Sequence, residues 1–471
     1  MTWDVIVVGA GTAGMPLAIF AAKRGARVLV LEQAATVGGT LPVSAGQVSA
    51  AGTRLQAERG IADSPDIHYE DVIRISNGNA THAFARLAAD NSADTLHWLL
   101  DLGWTPMAEH PVKFGHNPYS QPRTYWGVNA GHDLMAAVEP EFRRAIESGR
   151  VTLRLNTPVV ELVQDKAGVV TGVVAREAGK ADETITAPNV VLATGGYGAS
   201  KALFPLFTNG LPGFGWANPT SNGSGHVLAL RAGGEVKRQD YFLPRWAGVE
   251  NPHDPARAER YTEMAPTRRP PWEICVDRHG RRFVAEDRIS PDERERALLT
   301  VPDLTFWVVY DARIRRESPP LFDRPPEPGL DHWLGRHPSF CMGDSLDAVA
   351  KSAGIDSAGL AQTVADYNAS VLSGRDAFGR THMPLPIVEA PFYAIKHHGA
   401  GATTIPGIGV DTGMRVLRAD GSVIPGLYAV GEILGMGLHS GDAFVGGMGL
   451  MPALTYGRLL GERWLSWGDA A

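Results

Sequence analysis

The sequence predicts an α/β chain in which one domain is interrupted by a second, α+β domain, and three observations carry that reading. The first is Asp4-Val5-Ile6-Val7-Val8-Gly9-Ala10-Gly11-Thr12-Ala13-Gly14, an apolar strand running into a Gly-x-Gly-x-x-Gly turn and then a helix over about residues 12–24. The second is a return strand, residues 28–31, closed by Glu32, which stands 18 residues past Gly14. The third is the recurrence of continuous apolar runs at 190–193 and 426–430, on either side of a stretch of different texture over 241–385. Strand, turn, helix, strand and acid in that order make the dinucleotide cradle of a Rossmann-type domain. Gly9 permits the tight turn, Gly11 lets backbone N–H groups approach a pyrophosphate, Gly14 lets the helix pack closely, and Glu32 accepts from ribose hydroxyls.

The remaining elements follow in chain order. Residues 38–53 hold too much glycine and too many small side chains for a strand or helix, and read as backbone wrapped closely around a bound cofactor. From Phe84, the residues Leu87, Ala88, Thr95, Trp98, Leu99 and Leu102 recur at helical spacing, and Leu134, Val138, Phe142 and Ile146 do the same before Gly149. Residues 151–155, 159–163, 169–175 and 184–186 read as short strands of a small antiparallel β insert, the middle pair turning through Lys166-Ala167-Gly168. The run 190–193 is apolar throughout, as a strand buried on both faces must be, and opens into Thr194-Gly195-Gly196.

Between 241 and 385, two Pro/Arg-rich stretches, 251–272 and 318–330, bracket short strands such as 306–310. A helix capped by Ser357 follows, with Leu360, Val364, Tyr367 and Val371 on one face. Residues 426–432 then form a buried strand with a Gly-acid turn, and 449–464 an apolar helix behind Gly446-Gly447. The expected organisation is a cofactor domain made of 1–240 and 386–471, with a capping domain over 241–385.

At 471 residues and 44% hydrophobic content the chain exceeds one core and has ample apolar material for two. A net charge of −7 with a pI near 6.1 gives no electrostatic reason to expect nucleic acid or an anionic membrane. The two cysteines, Cys275 and Cys341, stand outside any CxxC or CxxCH spacing, so a disulfide scaffold, a zinc knuckle and haem attachment are unsupported, and no metal is expected. The first strand begins at about residue 4, leaving no signal peptide, and no apolar run reaches the ~18 residues of a membrane span. A soluble, cytoplasmic enzyme is expected.

Several segments resemble one family in detail and in order: Ala51-Gly52-Thr53-Arg54-Leu55-Gln56, Gly60-Ile61-Ala62-Asp63-Ser64, Trp98-Leu99-Leu100-Asp101-Leu102-Gly103, Ala193-Thr194-Gly195-Gly196-Tyr197-Gly198, Gly280-Arg281-Arg282-Phe283-Val284-Ala285-Glu286, and the run from Ile424 to Glu432. That family is the FAD-dependent fumarate reductase and succinate dehydrogenase flavoprotein superfamily. The resemblance covers nearly the whole chain and implies FAD. Its diphosphate is expected over Gly9, Ala10, Gly11, Thr12, Ala13 and Gly14, and its adenosine ribose at Glu32 and Gln33. Further contacts are implied at Gly39, Thr40, Val160, Ala193, Thr194, Gly195, Gly431 and Glu432. The isoalloxazine is expected near Ala45, Gly46 and Gln47 and against Gly447, Met448, Gly449 and Leu450, where a helix start would turn N–H groups toward flavin N1. The family's covalent flavin histidine has no counterpart beside Gly38-Gly39, which implies non-covalent binding.

The substrate residues depart from the fumarate reductase pattern. The position of the family's proton-donating arginine, four residues after Glu286, is Ser290, and the tyrosine that 3-ketosteroid dehydrogenases supply in this region is also missing. Arg288 and Arg294, with Arg296, are candidates from a shifted loop, set against the ordinary reading of a charged run as solvated surface. Arg245, in Asp240-Tyr241-Phe242-Leu243-Pro244-Arg245, takes the place of a family histidine and is suited to a carboxylate or ketone. His398, in Lys396-His397-His398-Gly399, matches the family's substrate-binding histidine. The carboxylate-binding arginine has become Ala443 or Phe444, which argues against a small dicarboxylate. Gln47 stands where the family has a second glycine, and residues 450–457 are similar to the ending of ketosteroid dehydrogenases.

The first reading is therefore an FAD-dependent oxidoreductase acting on a CH–CH or C=C bond next to a carbonyl or carboxylate. Its specific version is desaturation of a cyclic ketone or keto acid, with His398 and Arg245 polarising the carbonyl. Two alternatives stay open: an FAD-dependent alcohol or amine oxidase, and a flavin-binding protein without catalysis. With one glycine fingerprint and no recognisable nicotinamide domain, the chain is expected to exchange electrons with a separate, unknown carrier.

Overall fold

The computed structural model describes residues 2–113, 117–211, 214–215, 218–240, 242, 244–401 and 403–467. Contacts divide the chain into a first unit, Met1–Asn209 with Asn218–Phe242 and Thr403–Ala471, and a second unit, Gly210–Ala217 with Leu243–Ala402.

In the first unit a six-stranded sheet has the order Arg415–Leu417, Val423–Ala429, Asn189–Leu192, Val5–Val8, Val28–Leu31, Val151–Arg154. All pairings are parallel except the Arg415–Leu417 edge. Every residue of Val5–Val8, Val28–Leu31 and Asn189–Leu192 is buried, which is why these strands carry no polar alternation. The helix Gly14–Lys23 packs against Gly131–Glu147 and Leu450–Leu459.

Residues 151–154 belong to the main sheet and not, as the strand pattern predicts, to the antiparallel insert. Val151–Arg154 pairs in parallel with Val28–Leu31, Val28 opposite Val151. The helix Gly131–Glu147 precedes it, and a strand reached through a crossover helix returns parallel to its neighbour. The insert keeps three strands, Val159–Gln164, Val170–Ala175 and Glu183–Thr186.

Two of the motif segments turn out to be helix starts. Thr53 and Gln56 form a reciprocal capping box on Arg54–Glu58, and Ser64 caps Pro65–Ile75. Asp63, between them, receives two hydrogen bonds from the buried Arg123 guanidinium, at 2.8 and 3.0 Å.

The second unit is built on Phe392–Gly401, which pairs antiparallel with Arg245–Asn251, Thr305–Asp311 and Phe340–Gly343. This strand is the reason the unit extends to residue 402 rather than ending at 385. The helix Ser357–Ser373 is capped by Asp356, not Ser357: Asp356 holds the extended backbone that a cap needs, and its carboxylate accepts from the Gly359 N–H at 3.0 Å. The Gly280–Glu286 motif is a buried charge network. Glu286 accepts from the Cys275 N–H (3.0 Å), Arg282 (2.6 and 2.9 Å) and Arg380 (3.1 Å), while Arg282 also reaches Asp376 and Arg380 also donates to the Glu273 carbonyl at 2.7 Å.

No helix among the described residues is long and apolar enough to cross a membrane, and none of their His, Cys, Asp or Glu side chains gather into a metal-binding group.

Candidate active site

The first unit holds a backbone cradle at the end of its central strand. Gly9 has φ +107°, and a Cβ there would lie 2.4 Å from the Ala193 carbonyl oxygen; a Cβ on Gly14 would lie 2.0 Å from the Gly9 carbonyl oxygen. Neither position admits a side chain. Gly11 differs, because a Cβ built on it meets nothing within 4 Å. Its missing side chain therefore keeps space open above the turn. The helix Gly14–Lys23 begins at Ala13 without a side-chain cap and without an acid in its first turn, so its leading N–H groups are kept for an anion. Glu32 is buried, and its two oxygens accept from the Ala10 and Ala34 N–H groups, both at 2.8 Å. That pins the carboxylate beside the turn, and each oxygen keeps a lone pair for a ribose hydroxyl. An open glycine floor, an uncapped helix start and a fixed acid fit the diphosphate and ribose of a dinucleotide.

The other expected cofactor residues gather in this unit. Gln33 donates to the Thr220 carbonyl and accepts from Asn222, both at 3.3 Å. Gly39, with Thr40 after it, approaches Gly11, the distance from a built Cβ to the Gly11 Cα being 3.4 Å. Ala193, Thr194 and Gly195 follow the strand Asn189–Leu192, and Val160 is half-buried on Val159–Gln164. Gly431 and Glu432 follow Val423–Ala429; the half-buried Glu432 carboxylate accepts from the Thr404 N–H and hydroxyl at 3.3 Å, and desolvation raises its pKa. Ala45 and the half-buried Gln47 flank Gly46, which packs on the Ala130 backbone, while Gly447 packs on Val48 and Ser49. Met448 is fully buried, and Gly449 and Leu450 begin the helix Leu450–Leu459, again without a side-chain cap or a first-turn acid.

In the second unit the two adjacent histidines do different things. His397 is a satisfied core residue: its ring nitrogens lie 2.9 Å from the Ile395 carbonyl and 3.0 Å from the Thr262 hydroxyl, and it stacks on Phe306. His398 Nδ1 lies 2.9 Å from Thr305 Oγ1. The single proton of that hydroxyl goes to the Asp303 carbonyl at 3.0 Å, so the hydroxyl accepts from Nδ1–H and leaves Nε2 as an acceptor. Burial, with Lys396 and His397 nearby, lowers the His398 pKa to about 3, so the ring is neutral at ordinary pH. A neutral acceptor ring has no N–H to offer at Nε2, whereas Arg245 is a permanent donor.

Arg245 begins the strand Arg245–Asn251 and pairs with Ala400, beside the pairing of Gly248 with His398. Its Nη1 lies 3.5 Å from the buried Glu295 carboxylate on the helix Pro291–Leu298. Burial pushes that carboxyl up to about 7. Arg294 turns inward, donating to the Met264 carbonyl at 2.8 Å over the Trp246 ring. Ser290 caps Pro291–Leu298 through the Glu293 N–H, and Arg288 is half exposed, 3.5 Å from the Glu293 carboxylate. The structure thus gathers Arg245 and Arg294 around Trp246 and Glu295, with His398 on the neighbouring strand, and gives Ser290 a capping role. Tyr241 and Leu243 lie outside the described residues. Sequence reasoning missed Glu295 and Thr305; Glu295 carried no signal, since it sits in a run that reads as charged surface.

A family model described as FAD binding domain matches residues 4–447. The probable fumarate reductase Ifc3 of Shewanella frigidimarina is 30% identical over 463 residues, 98% of this chain and 74% of that protein. The chain belongs to the FAD-dependent fumarate reductase and succinate dehydrogenase flavoprotein superfamily. This flavoprotein is also 27% identical to the 4-oxocyclohex-2-ene-1-carboxylate 5-dehydrogenase of Sinomonas cyclohexanicum, over 94% of its own length and 92% of the relative's. Its fold is shared with the solved 3-ketosteroid delta1-dehydrogenase of Sterolibacterium denitrificans, at a TM-score of 0.77, 23% identity and 98% coverage of both chains.

The flavoprotein is an FAD-dependent oxidoreductase acting on a CH–CH or C=C bond next to a carbonyl or carboxylate. Bound FAD would supply hydride acceptance or donation, and the cradle around Gly9, Gly11, Gly14 and Glu32 would hold its diphosphate and ribose. Ala443 is buried and Phe444 half-buried in the segment where the resemblance implied a carboxylate-binding arginine, so that segment offers no cation.

Proposed function

We propose that this flavoprotein works on a cyclic ketone or keto acid, forming or removing a C=C bond beside the carbonyl. Its first unit acts as a Rossmann-type FAD-binding domain and its second as the substrate-holding cap. Arg245, a permanent donor, takes the carbonyl oxygen, and His398, a neutral ring, lines the substrate side without adding charge. The observation that carries this reading is the neutrality of His398: a ring that titrates near 3 adds no charge for a carboxylate. Two facts support it. Ala443 and Phe444 supply no cation, and the Sinomonas relative is named for a cyclic oxo-carboxylate.

The test is anaerobic. The purified yellow protein is mixed with saturated cyclic ketones, keto acids and dicarboxylates while flavin absorbance is followed and products are identified by mass. Bleaching with loss of two hydrogens from a ketone or keto acid is expected. Bleaching by succinate-like acids alone would overturn the substrate class.

A further inference from the structure

Glu295 is buried to 3% side-chain exposure on the helix Pro291–Leu298, and its Oε1 lies 3.5 Å from Arg245 Nη1, whose side chain is 21% exposed. The pair therefore joins a buried carboxylate to a partly exposed arginine side chain. Glu295 Oε2 has no hydrogen-bond partner among the described residues, so the contact to Arg245 is made through Oε1. We propose that Glu295 is the specificity-determining counter-charge of Arg245: it leaves the guanidinium able to donate to a neutral carbonyl oxygen while cancelling the charge that would hold a second carboxylate. The inference rests on the reading of Arg245 as the carbonyl partner.

The physical distinction is between donation and net charge. An arginine presents five N–H donors in a fixed fork, and one nearby carboxylate leaves that geometry intact. The attraction that draws an anion depends on the summed charge, and in a poorly hydrated setting a carboxylate a few ångströms behind the guanidinium removes most of it. Selection against dicarboxylates then needs no clash.

The counter-charge is itself titratable. Burial raises the Glu295 carboxyl to about 7; Arg245 on the facing strand opposes the rise, Asp292 on its own helix adds to it, and Arg294 opposes it. Behind Arg294 stand Glu263 and Cys275. Above about 7 the carboxylate is present and sets a negative charge beside Arg245; below it the carboxyl is neutral and that counter-charge is lost. Anion affinity should therefore rise as pH falls through neutrality. His398, neutral down to about 3, does not titrate in that window.

The experiment titrates the FAD-loaded protein with oxalate, a dianion throughout the range, and reads the dissociation constant from the flavin difference spectrum at about pH 5.5 and about pH 8.5. In the wild type, oxalate should bind about tenfold more tightly at the acidic pH. Glu295→Gln should bind it with the acidic affinity at both. A Glu295→Gln protein that loads FAD and keeps the wild-type affinities at both pH values overturns the inference. Should that variant fail to load FAD, a flat wild-type profile overturns it alone. Failure of every ketone to bleach the flavin would instead overturn the substrate class, so the two failures are separable.

Discussion

The helix starts beside the cradle and four helix starts of the second unit are used in opposite ways. Beside the cradle, Gly14–Lys23 and Leu450–Leu459 begin at Ala13 and Gly449 with no side-chain cap and no acid in the first turn. In the second unit, Pro291–Leu298, Ala312–Glu317, Leu346–Ala353 and Ser357–Ser373 begin under Ser290, Asp311, Ser345 and Asp356, each accepting from a backbone N–H. A capped helix start has spent the donors an anion would need; an uncapped one lowers stability unless something else arrives. The two helices beside the cradle thus keep their positive backbone ends for a cofactor, while Thr53 and Ser64 close helix starts elsewhere in the first unit. The second unit closes these four and uses side chains, Arg282, Arg380, Arg245 and Glu295, as its charged material.

The contrast can be tested by attacking each unit in its own terms. The largest effect should come from the buried charges: Arg380→Ala strips Glu286 of a partner and orphans the Glu273 carbonyl, and should lower stability by about 3–5 kcal/mol in a thermal melt. A change within experimental error would mean that the network does not support the second unit. Next is His398→Ala, expected to lower kcat/KM about a hundredfold while the FAD bound per chain stays constant. Equal turnover would remove His398 from the chemistry.

On the cradle side, Gly11→Ala places a methyl group in open space, so the apo chain should melt as the wild type does while FAD affinity falls about tenfold by fluorescence titration. A lowered apo melting point would show that Gly11 serves packing instead. The smallest effect belongs to Ser290→Ala, which removes a cap and should cost about 1 kcal/mol with turnover unchanged. A large loss of turnover would return Ser290 to the reacting centre and blur the line between the units.

Much of the first unit was legible in the sequence because its signals are local. The turn from Val8 to Gly14, the buried run at 190–193 and the acid at 32 are each read within a few residues, and backbone geometry dictates the glycines. The helix Ser357–Ser373 was legible for the same reason, though Asp356 rather than Ser357 caps it, since both residue types suit the position and only backbone conformation separates them. Misplacing Val151–Arg154 had a different cause: a short apolar strand does not announce its partner, and pairing is chosen by the helix that carries the chain back to the sheet.

The sequence by itself thus determined the nucleotide cradle, the family and the bond class, because these rest on short motifs whose chemistry is carried by adjacent backbone groups. Tertiary structure alone decided the charge states in the second unit. Arg282 reaches Asp376 across 94 residues, the His398 tautomer is set by Thr305, and Arg245 meets Glu295 from a separate element. The physical reason is that the charge state of a side chain depends on burial and on partners brought from distant parts of the chain. A run such as Arg294-Glu295-Arg296 has the same composition whether it faces water or the core.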